Sequence, residues 1–433
     1  MIGELRRLNE RYQMFSSVAD DIPDGKVLFS AKDNLTTIGL ESCAGSMILK
    51  GYRAPFDATA VKRMKDAGCA LVGKTNMDEF GFGTFSTNSA FGVPRNPFDT
   101  ERSCGGSSGG AACAAAVIDG HIALGVSTGG SISCPASFCG VYGITPTYGR
   151  VSRYGLIDYG NSLDKIGILS GDGKDMRRYL SVISGKDEMD PTSCIQPALE
   201  NKTVRIRSVA IPKVSVEGIS KGVAEEFERS LELLKGMSID VEYVDMPSLK
   251  YAMPAYYVLA TSEASTNLAR YCGMRYGQQD GDPSKRFDEY FASFRSEYLG
   301  KEAKRRVLLG TFTRMAGFRD RYYTKALQVR ESIIKDHKRI FERFDSVLTP
   351  TMPFISPKFS DISEMSPLDS YKADFLTIPP NLSGMPHLSV PCGYSEGMPV
   401  GMQFITDHWQ EDKLTTMAEE WSSVFETKKA VIP

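Results

Sequence analysis

A chain of 433 residues, 42% hydrophobic and 24% charged, can bury a large core and is too apolar to be disordered. With 51 basic and 53 acidic residues its formal charge is -2, which leaves no chain-wide basic field for gripping a nucleic-acid backbone. The longest weakly polar stretch, Ala111 to Val126, is interrupted by Asp119, His121 and several glycines and cannot span a membrane.

The N-terminal segment MIGELRRLNERYQMF lacks the apolar core of a signal peptide, so a cytoplasmic location is expected. Nine cysteines, at 43, 69, 104, 113, 134, 139, 194, 272 and 392, form no C-x-x-C pair; they read as free thiols. The four histidines, at 121, 337, 387 and 408, stand in no recognisable catalytic context.

After the polar N-terminal segment, Lys26–Ala31 reads as a short buried strand that opens at Lys32 into the polar run Lys32-Asp33-Asn34. Asp57–Ala67 carries helix-start residues, apolar Val61 and Met64 at helical spacing, and Gly68 as a stop; the CALVG that follows is a buried strand. The block Gly105-Gly106-Ser107-Ser108-Gly109-Gly110 runs into the alanine-rich helix AACAAAVI. IALGVSTGGSISCPA is a strand that enters a second glycine-rich turn. Such turns display backbone N–H groups.

Lys221–Met237 has Val223, Phe227, Leu231 and Leu234 on one face and reads as a surface helix of an α/β layer. Residues 250–345 read as mostly helical, including the charged stretch Thr313–Phe344. SVLTP, HLSVP and GMQFI then return to buried-strand character, with proline expected at strand ends. Alternating strands and helices predict an α/β fold, residues 1–433 as a single domain, with 250–345 as a helical insertion.

Three motifs compete for the chemistry. Gly68 to Thr75 matches G-x-x-x-x-G-K-[ST], but a helix precedes it and its inner residues are strand-like, the reverse of a phosphate loop. Gly105 to Gly109 matches G-x-S-x-G, but the preceding NPFDTERSC is a polar loop, and no acid and histidine follow in the required context. The third constellation needs no histidine. A lysine buried beside serines can lose its proton and act as base, which makes Lys32, Ser107 and Ser131 candidates.

The run Gly105 to Pro146, with Ser107 and Ser131 24 positions apart in two Gly-Ser turns, resembles the amidase signature family. KDNL at 32–35, GKTNMDEFGFG at 73–83, PTYGRVSRYGLID at 146–158, NSLDKIG at 161–167 and GMPVGMQFI at 397–405 extend the likeness. YYVLATSEASTNLARYCGMRYG, KRRVLLGTF and YKADFLTIPPNLSGMPHLSVP resemble, within that family, the A subunits of glutamyl-tRNA(Gln)/aspartyl-tRNA(Asn) amidotransferases.

The resemblance implies an amidase-signature α/β fold, a large mixed central sheet covered by helices on both faces. It implies glutamine hydrolysis by Ser131 as nucleophile, with Ser107, joined to Gly106 by a cis peptide, relaying protons to Lys32. Backbone N–H groups of Thr128, Gly129, Gly130 and Ser131 are the implied oxyanion hole. Tyr256, Arg306 and Asp374 are the implied glutamine binders, Arg306 on the α-carboxylate and Asp374 on the α-ammonium. No cofactor is expected in this chain. ATP and Mg are expected on a partner B subunit, which would also hold most of the misacylated tRNA and receive the ammonia. A further expected partner is a C subunit.

The chain departs from the family pattern in three places. Ser127 and Ser133 stand where an Asp and an Arg are usual; losing both together avoids an unpaired buried charge, so an intact site with altered packing is expected. Cys104 replaces a common proline. Only 31 residues precede Lys32, from which a reduced or rearranged C-subunit contact is expected. A free-standing amidase acting on a small amide, and a scaffold of the same fold without chemistry, are the rival readings.

Overall fold

The computed structural model describes residues 2–23, 26–199 and 202–430. Among them, eleven strands form one sheet: β1 (Phe15–Val18), β2 (Leu28–Lys32), β3 (Ala70–Thr75), β4 (Ile122–Ser127), β5 (Tyr142–Thr145), β6 (Lys165–Ser170), β7 (Ser208–Pro212), β8 (Asp240–Val244), β9 (Ser346–Pro350), β10 (His387–Ser395) and β11 (Met398–Ile405). Their order is β1-β3-β2-β4-β6-β5-β10-β11-β9-β7-β8. β2 runs parallel to β3 and β4, and β7 parallel to β8 and β9; the remaining pairs are antiparallel, so the sheet is mixed.

The inner strands are apolar on both sides because helices cover both sides. In β4, Ile122, Leu124 and Val126 enter one core, and Ala123 between them enters another. β7 divides in the same way, Val209 and Ile211 on one side and Ala210 on the other. The first face packs under α2 (Thr59–Asp66), α5 (Asp175–Ile183), α6 (Lys221–Gly236) and α14 (Glu411–Val424). The second is covered by α1 (Ile2–Tyr12), α3 (Gly109–Val117) and α4 (Ser133–Cys139) at one end. At its other end lie α7 (Ala252–Asn267), α8 (Phe287–Tyr298), α9 (Lys301–Arg314) and α10 (Arg319–Phe341). The short helices α11 (Phe359–Glu364), α12 (Pro367–Lys372) and α13 (Ile378–Ser383) complete the chain.

Three expectations need correction. The segment read only as polar at the N-terminus contains α1, which buries Leu5 and Tyr12, and the edge strand β1 on β3. The stretch Thr313–Phe344 is broken after Arg314, where Gly317 adopts a left-handed φ of 84° that a continuous helix cannot contain. Pro391 lies inside β10 rather than at its end, and the register shifts between Pro391 and Gly393; a bulge accommodates the missing N–H.

Candidate active site

Lys32 is the last residue of β2, and β2 lies parallel beside β4, so the C-terminal ends of both strands open on the same side. The Lys32 Nζ donates to the Val126 carbonyl at 3.0 Å and to Ser107 Oγ at 2.7 Å. Ser107 belongs to the turn before α3, and the Gly106–Ser107 peptide is cis. Burial is the main influence on Lys32 and brings its pKa down to about 7, while Asp78 and Asp164 pull the other way. Near neutrality a substantial fraction of the amine is therefore unprotonated.

Ser131 closes the turn between β4 and α4 and joins this pair through the backbone: Ser108 N–H donates to the Ser131 carbonyl at 3.2 Å. No hydrogen bond links the Ser131 and Ser107 hydroxyls. Among the described residues, no acceptor takes the N–H groups of Gly129, Gly130 or Ser131. These three residues line a narrow cleft with Gly81, Gly83, Gly106, Tyr256, Tyr257, Arg306 and Asp374. Thr128 does not line it; its Oγ1 donates to Asp164 Oδ1 at 2.7 Å.

The three implied glutamine binders thus come together beside Ser131. Tyr256 lies against the Ser131 turn so tightly that a side chain on Gly129 would begin 2.5 Å from its Cζ. Arg306, only 3% exposed, bonds Glu302 through Nε at 2.8 Å and the Tyr159 hydroxyl through Nη1 at 2.5 Å. Its guanidinium stands 5.2 to 5.7 Å from the rings of Phe82, Tyr159, Tyr257 and Tyr371, which fix its plane. The Nη2 has no acceptor among the described residues. Asp374 Oδ2 accepts from Thr84 Oγ1 at 2.8 Å and from the Tyr257 hydroxyl at 3.1 Å. Burial lifts its carboxyl to about 7, against the pull of those two hydroxyls and Arg306.

Several supporting residues escaped the sequence reading. Asp78 accepts from Ser86 N–H at 3.0 Å and Asn88 N–H at 2.9 Å; burial raises it to about 6. Asp164 receives the N–H groups of Tyr159 (2.8 Å) and Gly160 (3.0 Å) in addition to Thr128. Thr377 Oγ1 donates to the Gly129 carbonyl at 2.9 Å. The two acids lie within the segments 73–83 and 161–167 that carried the family resemblance, but no feature of those segments singled them out as supports of the site.

At the departures, Ser127 Oγ donates to Asn381 Oδ1 at 3.1 Å, while the buried Ser133 Oγ has no partner among the described residues. Cys104 is buried directly before the Gly105–Ser108 turn. The rejected phosphate-loop match is structural: Gly73-Lys74-Thr75 lies within β3, and the buried Lys74 Nζ binds Ser42 Oγ at 2.8 Å and the Leu35 carbonyl. Among the described residues, no histidine lines the cleft.

The family model described as Amidase matches residues 26–415. The chain belongs to the amidase family. Similar proteins within it include the A subunit of the glutamyl-tRNA(Gln) amidotransferase of Methanospirillum hungatei, 45% identical over 92% of this chain and 92% of that one. The counterpart of the same name from Archaeoglobus fulgidus is 44% identical over 89% of this chain and 83% of its own. Among solved structures, the A subunit of the glutamyl-tRNA(Gln) amidotransferase of Thermotoga maritima superposes with a TM-score of 0.84 at 36% identity, covering 100% of this chain and 92% of that one. The mixed sheet with helices on both faces is the amidase-signature fold that the sequence resemblance implied. Among the described residues, no group of three or more His, Cys, Asp or Glu could hold a metal ion, and no helix is long and apolar enough to cross a membrane.

Proposed function

We propose that the chain is the glutamine-hydrolysing A subunit of a tRNA-dependent amidotransferase. What carries this reading is one cleft in which the Ser131 turn, with three uncommitted N–H groups, meets both Arg306 and Asp374. A cation and an anion on the same cleft suit a free α-amino acid, and a simple amide has no use for them.

In this reading Ser131 Oγ attacks the side-chain amide carbon of glutamine as its proton passes to Ser107, whose own proton moves to unprotonated Lys32. The N–H groups of Gly129, Gly130 and Ser131 stabilise the oxyanion, with Thr128 supporting the turn through Asp164. Collapse returns the proton through Ser107 to the leaving nitrogen and releases ammonia. Water then attacks the acyl-Ser131 ester by the same relay, giving glutamate.

The ammonia is passed to a B subunit, which uses ATP and Mg to convert Glu-tRNA(Gln) or Asp-tRNA(Asn) to the amide form; a C subunit completes the complex. Residues 1–433 form one amidase domain with 250–345 as its helical insertion, and the assembly works in the cytoplasm. Glutamine hydrolysis measured with and without the B subunit tests the reading. Ser131→Ala is expected to abolish it, and retained hydrolysis in the assembled Ser131→Ala enzyme would refute the assignment.

A further inference from the structure

Lys165 is a buried lysine that the hydrolytic relay does not use. It opens β6 opposite Ser127 of β4, and residues directly opposite on antiparallel strands project from the same face of the sheet. Its Nζ donates to the Met385 carbonyl at 3.1 Å and, at 3.5 Å, to that of Pro380. Lys165 is 2% exposed, and among the described residues no carboxylate lies within ion-pair distance of it. Burial keeps its pKa well below the usual lysine range, helped by Arg330 of α10 and opposed by Glu411 of α14, whose carboxylate is taken by Arg150 at 2.7 Å. His387 of β10, which shares the Met385 carbonyl through Nδ1 at 3.2 Å, is held low mainly by burial as well. Lys165 thus serves as a neutral donor.

The element it holds cannot hold itself. α13 is six residues long, and two of them, Pro379 and Pro380, have no N–H to give. Side chains around it set its place: Ser127 Oγ on Asn381 Oδ1 at 3.1 Å, Asn381 Nδ2 on the Thr377 carbonyl at 2.9 Å, Gln403 Nε2 on the Leu376 carbonyl at 2.7 Å, and Lys165 at its far end. Thr377 carries that placement to the Ser131 turn. Its Oγ1 donates to the Gly129 carbonyl at 2.9 Å, and a side chain on Gly130 would begin 2.1 Å from the same oxygen. The Gly129 carbonyl and the Gly130 N–H belong to one planar trans peptide, so fixing the first fixes the direction of the second.

We propose that Lys165 is a positioning residue for glutamine hydrolysis: by anchoring the C-terminal end of α13 it keeps Thr377 on the Gly129 carbonyl and so aims the Gly130 N–H at the oxyanion. The inference rests on reading the Ser131 turn as the oxyanion turn of a glutamine-hydrolysing site. Lys165 does not line the cleft, and its role asks for a donor of the right reach, not for a charge.

The test is steady-state glutamine hydrolysis by the assembled enzyme together with thermal melting. Lys165→Met, similar in size and without a donor, is expected to lower kcat at least about tenfold, less than the roughly 10²–10³-fold lost with an oxyanion donor itself. KM should stay within about twofold, because an oxyanion contact acts in the transition state and because Arg306 and Asp374 are held by other partners. The melting temperature is expected to match or exceed the parental value. Each carbonyl keeps another donor, His387 Nδ1 for Met385 and the Met385 N–H for Pro380 at 3.0 Å, and an apolar chain replaces a buried amine. Lys165→Gln, a neutral donor, is expected to recover most of the lost rate. Parental kcat in Lys165→Met, whatever its melting temperature, would overturn the proposal, as would equal losses in the Met and Gln variants. If Ser131→Ala kept the parental rate, the functional reading would fail and the inference with it; an inactive Ser131→Ala beside a fully active Lys165→Met would strike the inference alone.

Discussion

The Lys32 Nζ and Ser107 Oγ lie 2.7 Å apart, and the second hydrogen bond of Lys32 goes to a carbonyl, so neither acceptor carries a full negative charge. A buried amine so placed gains little by staying protonated, and burial brings its pKa to about 7. In the proposed mechanism, protonation below that value blocks Lys32 as the base. The rate of glutamine hydrolysis at saturating substrate is therefore expected to rise with pH through about 7 and level off above it. Lys32→Arg keeps the charge but cannot give up its proton, and a loss of about 10²–10⁴-fold is expected in a steady-state assay. A Lys32→Arg enzyme with parental rate and pH profile would remove Lys32 from the mechanism.

Asp374 contributes a second titration. Its carboxyl is raised to about 7, so it is neutral in more acidic solution and ionised in more basic solution, and only the ionised form attracts an ammonium group. KM for glutamine is expected to fall as pH rises through about 7. In Asp374→Asn that dependence should vanish and KM should rise by about tenfold or more, as expected for a lost charge-assisted hydrogen bond. Initial-rate measurements across pH separate this effect on KM from that of Lys32 on the maximal rate.

Arg306 is held by geometry as much as by charge. Four aromatic rings and Glu302 fix the plane of its guanidinium, and an ammonium cannot fill that frame. Arg306→Lys is expected to raise KM for glutamine about tenfold or more, by the loss of roughly 1.5–3 kcal/mol that hydrogen bonds to charged groups contribute. Hydrolysis of an amide lacking the α-carboxylate should change much less, and equal losses on both substrates would count against the clamp.

The contrast between these residues explains what could be read in advance. Ser107 and Ser131 sit in glycine-rich turns, and such turns leave a local mark on the sequence; so do the β2 and β4 strands that carry Lys32 and the Ser131 turn. Asp78 and Asp164 lie in the quoted segments 73–83 and 161–167, but their roles could not be read there, because they depend on N–H groups supplied by loops that only folding assembles. The edge strand β1 escaped for a similar reason: Phe15–Val18 is too short to alternate, and its pairing partner β3 lies more than fifty residues away along the chain. Pro391 misled because a bulge supplies the exception to the rule that proline ends a strand.

The proposed mechanism makes Asp164 a positioning residue, whose removal should be felt in both stability and rate. Asp164→Ala leaves Thr128 Oγ1 and the N–H groups of Tyr159 and Gly160 without their acceptor in a buried region. A stability loss of about 1–3 kcal/mol is expected for unsatisfied groups of this kind. Because Thr128 adjoins the Ser131 turn, the maximal rate should fall while KM changes less. Denaturant unfolding together with steady-state kinetics checks both parts, and a destabilised enzyme with an unaltered maximal rate would confine Asp164 to the fold.

The two serines flanking the Ser131 turn make opposite predictions from similar positions. Ser133 Oγ is buried with no partner among the described residues, so its desolvation is uncompensated, and Ser133→Ala is expected to leave stability unchanged or raise it by up to about 1 kcal/mol. Ser127 Oγ donates to Asn381 Oδ1 at 3.1 Å, and the same Asn381 donates through Nδ2 to the Thr377 carbonyl at 2.9 Å. Thr377 in turn holds the Gly129 carbonyl. Ser127→Ala therefore strips a donor from a chain of contacts that ends at the oxyanion turn, and a loss of about 1–3 kcal/mol is expected, together with slower glutamine hydrolysis. Unfolding midpoints of the two variants decide the matter: equal destabilisation would mean that Ser133 has a partner and that its hydroxyl also helps to hold the nucleophile in place.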